Sequence, residues 1–330
     1  MRIARRVGVV GLGWLLAAVL VPASPIGPRA AGAADRLVVG VTSLSPGTMP
    51  LYVAKEKGFF EAEGLAVELP VFRSGTENAQ AILANEVHIG IGNITEVFGI
   101  RKAGQDARFF WGVANLMPFK LYARPEIQSA KDLKGKKLAI SKFGAQTDYL
   151  TQHTLRHFGI EPIKEAAILQ IGSTPARYAA MKAGAVDATI MWFPQTLVAD
   201  KEGFRRLADL ADIFPDWSYM GYHAKGEYLR TQRDRVVRFL RAHTRGLEEV
   251  QRNPETGIGI LQKYLKYDRA VAEAGYREFS KALAADGRIP VKGIEFLIDE
   301  EFKAGNVKEK FRAADLTDAT FIEQFAKGGK

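Results

Sequence analysis

Cysteine is absent from the 330-residue chain, which excludes disulfides, thiolate metal sites, a cysteine nucleophile and a lipid-modified cysteine. An oxidising compartment stays open, because a core of this size needs no covalent staples. Histidine is scarce, at five residues. His153 and His157 stand four apart on a helical stretch, the spacing of a metal pair, but no H-E-x-x-H pattern and no third ligand accompany them. A surface pair is expected, with no metal and no cofactor. No G-x-S-x-G, glycine-rich phosphate loop or triad order is present. Glu86 and Asp187, the remaining candidates for paired acid–base carboxylates, precede or sit inside strand-like runs, where a structural role is expected.

Acidic residues are missing before Asp35, whereas Arg2, Arg5, Arg6 and Arg29 all fall there. The chain carries 46 basic and 37 acidic residues, a formal charge of +9, and without those four arginines the surplus falls to 5. A surplus that small, with no basic module interleaved with aromatics, gives no expectation of nucleic acid. Arg230, Arg238, Arg241 and Arg245 form a basic stripe on a predicted helix and read as a solvated face. Long apolar runs are also lacking. Gly8–Val21, at fourteen residues, is short of the ~20 that a membrane span needs. The positive start, this run and the small residues Ala31-Gly32-Ala33 read as an export signal cleaved near Ala33 or Ala34. Arg5-Arg6 fits a twin-arginine signal poorly, so the general secretory route is favoured. The mature chain is then expected outside the cytoplasm.

What is present is an ordinary globular composition, 47% hydrophobic and 25% charged, long enough for two domains. The layout repeats. LVVGVTSLSPGTMPLYVAKEKGFFEAEG (37–64) is an apolar run, a Ser/Gly/Pro loop and a helical pattern, and KLAISKFGAQTDYLTQHTLRHFG (137–159) has the same order. Further strands are read at Val67–Phe72, Val87–Gly92, Arg108–Asn115, Ala167–Ile171 and Val186–Trp192, with helices between them. Alternation of this kind implies parallel βαβ units. Pro118–Arg124 reads as a crossover into a second unit and Asp216–His223 as the return. After Gly226 the pattern turns helical. Val236, Leu240, His243, Leu247 and Val250 line one face of a long helix, further helices follow at Pro254–Leu265, Arg269–Ala284 and Ile294–Ala304, and Phe321–Lys330 is expected to fray.

Strands that run through polar loops into helix starts leave backbone N–H groups free for an anion or carbonyl. The candidate contacts follow from that position. Ser43, Ser45, Gly47 and Thr48 lie in the first loop. Arg73, Ser74, Gly75 and Thr76 lie in the second, with Arg73 a candidate clamp for a sulfonate or carboxylate. Asn93 and Thr95 follow the third strand. Gly144, Ala145, Gln146 and Thr147 form the matching start in the second half. Trp192 either stacks on a ligand or fills the core. Two such loops in two half-sized domains suggest a cleft with a small molecule between them.

The run Pro50-Leu51-Tyr52-Val53-Ala54-Lys55-Glu56-Lys57-Gly58-Phe59-Phe60, with Glu63-Gly64-Leu65 after it, resembles the periplasmic substrate-binding proteins of ABC importers, in the group handling nitrate, sulfonates, taurine and thiamine-pyrimidine precursors. Asp132–Lys137, Ala180–Ala188 and Arg235–Leu261 are similar to later parts of the same group, so the likeness covers the mature chain. It departs at His88, where the family usually has aspartate, and at Ser74-Gly75, where it has a glycine pair. The resemblance implies a type II periplasmic-binding-protein fold: two α/β lobes, two crossovers, a ligand cleft and a helical C-terminal part. The expected divisions are 1–34 signal peptide, 35–118 first lobe, 119–218 second lobe and 219–330 return to the first.

The function so implied is a non-catalytic, monomeric periplasmic receptor that closes on a small organic anion, of sulfonate, nitrate, taurine or aromatic-acid type, and hands it to an ABC importer permease. One alternative is an enzyme on the same fold, pyrimidine-synthase-like or menaquinone-pathway lyase-like. Those relatives are cytosolic, and the synthase type carries a cysteine-rich motif that this chain lacks. The other is a ligand-sensing partner of a membrane receptor.

Overall fold

Two five-stranded sheets organise the chain, seen in a computed structural model that describes residues 34–327 except Ser43, Pro215, Asp216, Ser218, Ala304, Asn306, Lys308 and Glu309. The expected export signal lies outside the described residues. The first sheet is built from β1 (Asp35–Val41), β2 (Leu65–Glu68), β3 (Ile89–Gly92) and β4 (Ala107–Ala114). The second holds β5 (Lys120–Ala123), β6 (Lys137–Ile140), β7 (Ala167–Gln170), β8 (Ala188–Met191) and β9 (Arg205–Asp209). The chain then returns to the first sheet as β10 (Met220–Lys225), giving the orders β2-β1-β3-β10-β4 and β7-β6-β8-β5-β9.

The sheets are mixed, not wholly parallel as the alternation of elements implied. β1 lies parallel to β2 and β3, and β6 to β7 and β8, but β10 runs antiparallel to both its neighbours and so does β5. The cause is the crossovers. β4 ends at the cleft, so the chain enters the second sheet from the cleft side and must run away from it. β9 ends there too, and β10 repeats the manoeuvre in reverse. Helical periodicity cannot register this, since it reports which face is buried and not the direction of entry.

Lobe 1 is closed by the helix Arg233–Arg252, whose Val236, Leu240, His243, Leu247 and Val250 are all buried, as their spacing requires. It lies so close to the helix Met49–Glu56 that a Cβ on Gly246 would sit 2.2 Å from the Pro50 carbonyl oxygen. The basic stripe is not a free solvated face. Arg238 reaches Asp35 at 2.5 Å and the Glu63 carbonyl at 2.9 Å, Arg230 reaches Asp106 at 3.3 Å, Arg241 reaches Glu63 at 3.8 Å, and Arg245 lies over the Phe59 ring. The C-terminal stretch also differs from expectation. Thr320–Ala326 is helical, and Phe321 is fully buried against Phe110 beneath the Arg233 guanidinium.

His88 resolves its departure from the family pattern. Its Nδ1 accepts from the Val38 N–H at 2.9 Å, an acceptor role that a carboxylate would also fill, and burial holds its pKa below the ordinary value. His243 is held more firmly neutral: it bonds the Tyr222 hydroxyl at 2.8 Å, and burial lowers its pKa to about 3. The unfolded chain therefore takes up a proton near pH 6.5 that the folded chain refuses until about pH 3. Stability falls as pH drops through that window, by up to several kcal/mol from this residue. His243→Gln keeps an acceptor for Tyr222 and removes the titration. Urea unfolding between pH 7 and 4 is expected to show a shallower loss for the variant, and an identical pH slope would contradict this assignment.

Candidate ligand-binding cleft

The strand ends of both sheets meet at a cavity of about 460 Å³ between the lobes. This is the expected position for a ligand of open α/β sheets. β1 brings Thr42 and Leu44, β3 brings Asn93 and Glu96, β6 brings Ser141 and the helix start after it, and β8 brings Trp192. The two crossovers add Phe119 and Tyr219 at the base, their rings edge-on at 5.9 Å.

Of the residues singled out from sequence, Arg73, Ser74, Gly75, Asn93, Ala145, Gln146, Thr147 and Trp192 line this cavity. Arg73 does so from the rim, its side chain 86% exposed and 3.6 Å from Glu77, which is a poor place for a clamp. The first loop reaches the cavity through Leu44 and not through the described candidates Ser45, Gly47 and Thr48. Ser45, Gly47 and Thr48 fold into the short turn Pro46–Thr48, buried behind Tyr219 and Met220, where the Thr48 hydroxyl donates to the Ser45 carbonyl at 2.7 Å. Ser43 lies outside the described residues. Thr95 is buried in the first turn of its helix, its N–H given to Asn93 Oδ1. Thr76 and Gly144 belong to the mouth instead, where the Thr76 hydroxyl donates to the Phe143 carbonyl across the lobes at 3.1 Å.

Sequence reasoning treats the two lobes as equivalent, and the structure does not. In lobe 1 the helix starts are already served from within. Ser74 Oγ accepts from the Glu77 N–H, and Asn93 Oδ1 from the Thr95 N–H. The buried Glu96 carboxylate accepts from Thr42 Oγ1 at 2.8 Å, Asn78 Nδ2 at 2.8 Å and the Asn93 N–H at 3.2 Å, and lies 3.2 Å from His223 Nε2. Room for it comes from the strand Ile89-Gly90-Ile91-Gly92. A Cβ on Gly92 would fall 1.8 Å from Glu96 Oε1, and one on Gly90 would fall 2.3 Å from His223 Nε2.

Lobe 2 carries the opposite charge. Arg177, in the helix Thr174–Lys182, is 1% exposed and lines the cavity. Nε donates to Thr189 Oγ1 at 3.1 Å, Nη1 to the Gly172 carbonyl at 2.6 Å, and Nη2 to Thr174 Oγ1 at 3.0 Å and the Ile190 carbonyl at 3.2 Å. A guanidinium has five N–H donors, so one on Nη1 is left over. All four partners are neutral, and no carboxylate among the described residues forms an ion pair with it. Burial lowers its pKa to about 10, which still leaves it charged at neutral pH. The helix that carries it has no side-chain cap and no acid in its first turn. Gln146 Nε2, buried beside the same cavity, has no hydrogen-bond partner among the described residues. The neighbouring helix start is partly served by Asp148, which accepts from the Gly144 N–H at 2.8 Å.

Across the mouth the C-terminal helix Val291–Lys303 ties the lobes together. Buried Glu301 accepts from Lys102 at 2.6 Å and from the Tyr149 hydroxyl of lobe 2 at 3.1 Å, and Glu300 lies 3.2 Å from His153. His153 is thus buried and paired, not the surface residue that its spacing to His157 suggested. Tyr149→Phe deletes two hydroxyl bonds of this bridge, the one given to Glu301 and the one accepted from Lys102 at 3.3 Å, together about 1 kcal/mol or more. If the bridge favours the closed lobes, ligand affinity should fall about fivefold in titration calorimetry. An unchanged affinity would show that the bridge plays no part in closure.

A family model described as NMT1/THI5 like matches residues 45–257. The chain belongs to the NMT1/THI5-like family. Similar proteins include one of Brucella abortus named only as a binding protein, 27% identical over 255 residues, 73% of this chain and 75% of that one. A Bacillus subtilis protein named for binding aliphatic sulfonates is 25% identical over 300 residues, 85% of this chain and 87% of that one. Among solved structures, the alkanesulfonate-binding protein SsuA from Xanthomonas axonopodis pv. citri, bound to MOPS, superposes with a TM-score of 0.73 at 18% identity, covering 87% of this chain and 99% of that one. The NMT1/THI5-like chain therefore has the fold of periplasmic binding proteins, as its motifs implied.

Arg177 and Glu96 were missed in the sequence although they set the polarity of the cleft. The one available signal for Arg177 was its place on the same helical face as Thr174 and Met181, three and four residues away.

Proposed function

We propose that the protein is an exported, monomeric solute receptor that captures a small organic anion between its lobes and delivers it to an ABC importer permease, without chemistry on the ligand. The observation that carries this is Arg177. A buried cation that lines the cavity, with neutral partners and one N–H left over, calls for an anion from outside. Glu96 adds direction, because its carboxylate at the floor of lobe 1 repels a ligand's negative end towards lobe 2. The Gln146 amide and the uncapped start of the Thr174–Lys182 helix supply further donors on that side. Relatives named as binding proteins, and a cavity wall with no cysteine, fit capture better than turnover.

A ligand at 100 times its Kd adds about 2.7 kcal/mol of stability. A thermal-shift screen of the purified protein with sulfonates, carboxylates, nitrate, taurine and pyrimidines is expected to raise the melting temperature with one class of organic anion. A folded protein that shifts with none of them contradicts the proposal.

A further inference from the structure

The cavity is much larger than a bare oxyanion requires, and its remaining wall is aromatic. Trp192 comes from the end of β8 and is held edge-on by Phe279, ring centres 6.3 Å apart. Phe119 and Tyr219 close the base from the two crossovers. Tyr267 comes from lobe 1. The helix Pro254–Leu265 stops at Lys266, which takes a left-handed conformation at φ 58°, and the turn after it brings Tyr267 to the cavity wall. There Tyr267 stands edge-on to Phe193 of lobe 2 at 5.9 Å. Rings from both lobes and both crossovers therefore surround one space, with a single buried cation at its lobe 2 side.

We infer that the ligand is an aryl acid, a benzene- to naphthalene-sized ring bearing one carboxylate or sulfonate, with the acid group at Arg177 and the ring among Trp192, Tyr219, Tyr267 and Phe119. The inference rests on the proposed capture of an organic anion and narrows it. An alkyl chain of equal carbon count buries comparable area in this space. Only an aromatic ring adds the edge-to-face and offset contacts that fixed surrounding rings reward, at about 0.5–1.5 kcal/mol for each pair. Two such pairs favour the ring about tenfold.

The test is titration calorimetry with pairs matched in charge and carbon count: benzenesulfonate against hexanesulfonate, benzoate against heptanoate, and naphthalene-2-sulfonate against decanesulfonate. The expected result is an aryl preference of about tenfold in the wild type. It should shrink to about threefold in Tyr267→Leu, which removes one of the two ring pairs, while alkyl affinity stays nearly constant and the melting temperature confirms folding. A wild-type preference below about fivefold, or one that Tyr267→Leu leaves intact, overturns the aryl assignment while the receptor reading stands. Failure of both series to bind folded protein removes the receptor reading itself.

Discussion

Arg177→Gln lowers affinity for the captured anion about 100-fold while changing folding stability by no more than about 2 kcal/mol. The two effects separate because burial of this charge is itself unfavourable. Burial that lowers the pKa to about 10 corresponds to ~3 kcal/mol of desolvation that a neutral glutamine does not incur. Against that gain stand four lost hydrogen bonds, to Thr189, Gly172, Thr174 and Ile190, at about 1–2 kcal/mol each where the acceptor stays buried. Part of that loss is recovered by the glutamine amide. Affinity has no such compensation, since a charge-assisted bond is removed from an anion taken out of water. Arg177→Lys sharpens the comparison. If charge is what the ligand needs, lysine retains part of the affinity that glutamine loses, whereas a purely structural arginine would make the two variants equal. Calorimetric titration beside urea unfolding reads both quantities.

Gly92→Ala destabilises the protein by about 3 kcal/mol or more, lowering the melting temperature by roughly 5 °C or more. The added Cβ would lie 1.8 Å from Glu96 Oε1 and 2.8 Å from Thr42 Oγ1. Glu96 would have to leave a pocket where Thr42, Asn78 and the Asn93 N–H all serve it, so a buried carboxylate loses its partners and they lose theirs. Gly99→Ala is the control. Gly99 lies mid-helix with its nearest prospective neighbour 4.0 Å away, so alanine there should stabilise by about 0.5–1 kcal/mol. Calorimetric melting of the two variants is expected to move in opposite directions. A Gly92→Ala midpoint within about 2 °C of the wild type would mean that Glu96 is not confined as described.

The strand–loop–helix units, the crossovers and the helical C-terminal face were legible because each has a local signature: an apolar run, a polar start, a periodic stripe. The same logic points to Asn93 and Trp192, which follow strand ends directly, and to Gln146 and Thr147 at the helix start after β6, all of which line the cavity. It failed for Ser45 and Thr48, which share that local pattern but are turned beneath Tyr219 by the Pro46–Thr48 turn. Arg177 and Tyr267 were hidden for a different reason. Arg177 sits inside a helix and not in a loop after a strand, and Tyr267 lies more than seventy residues beyond Trp192 in the chain, so no window of sequence brings them together. The charge difference between the lobes was equally out of reach. Glu96 reads as an ordinary capping glutamate, and only tertiary packing places its carboxylate at the cavity floor, against the Gly75 helix start, with His223 and Asn78 around it.

The crystal structure of the protein with the tightest-binding anion of the screen tests the central claim most directly. The account predicts the ligand between the lobes, its anionic oxygens within hydrogen-bonding distance of Arg177 Nη1 and Gln146 Nε2, and its uncharged end among Trp192, Tyr219, Tyr267 and Phe119. An anion bound at the Arg73 rim, or seated with its charge against Glu96, would contradict it.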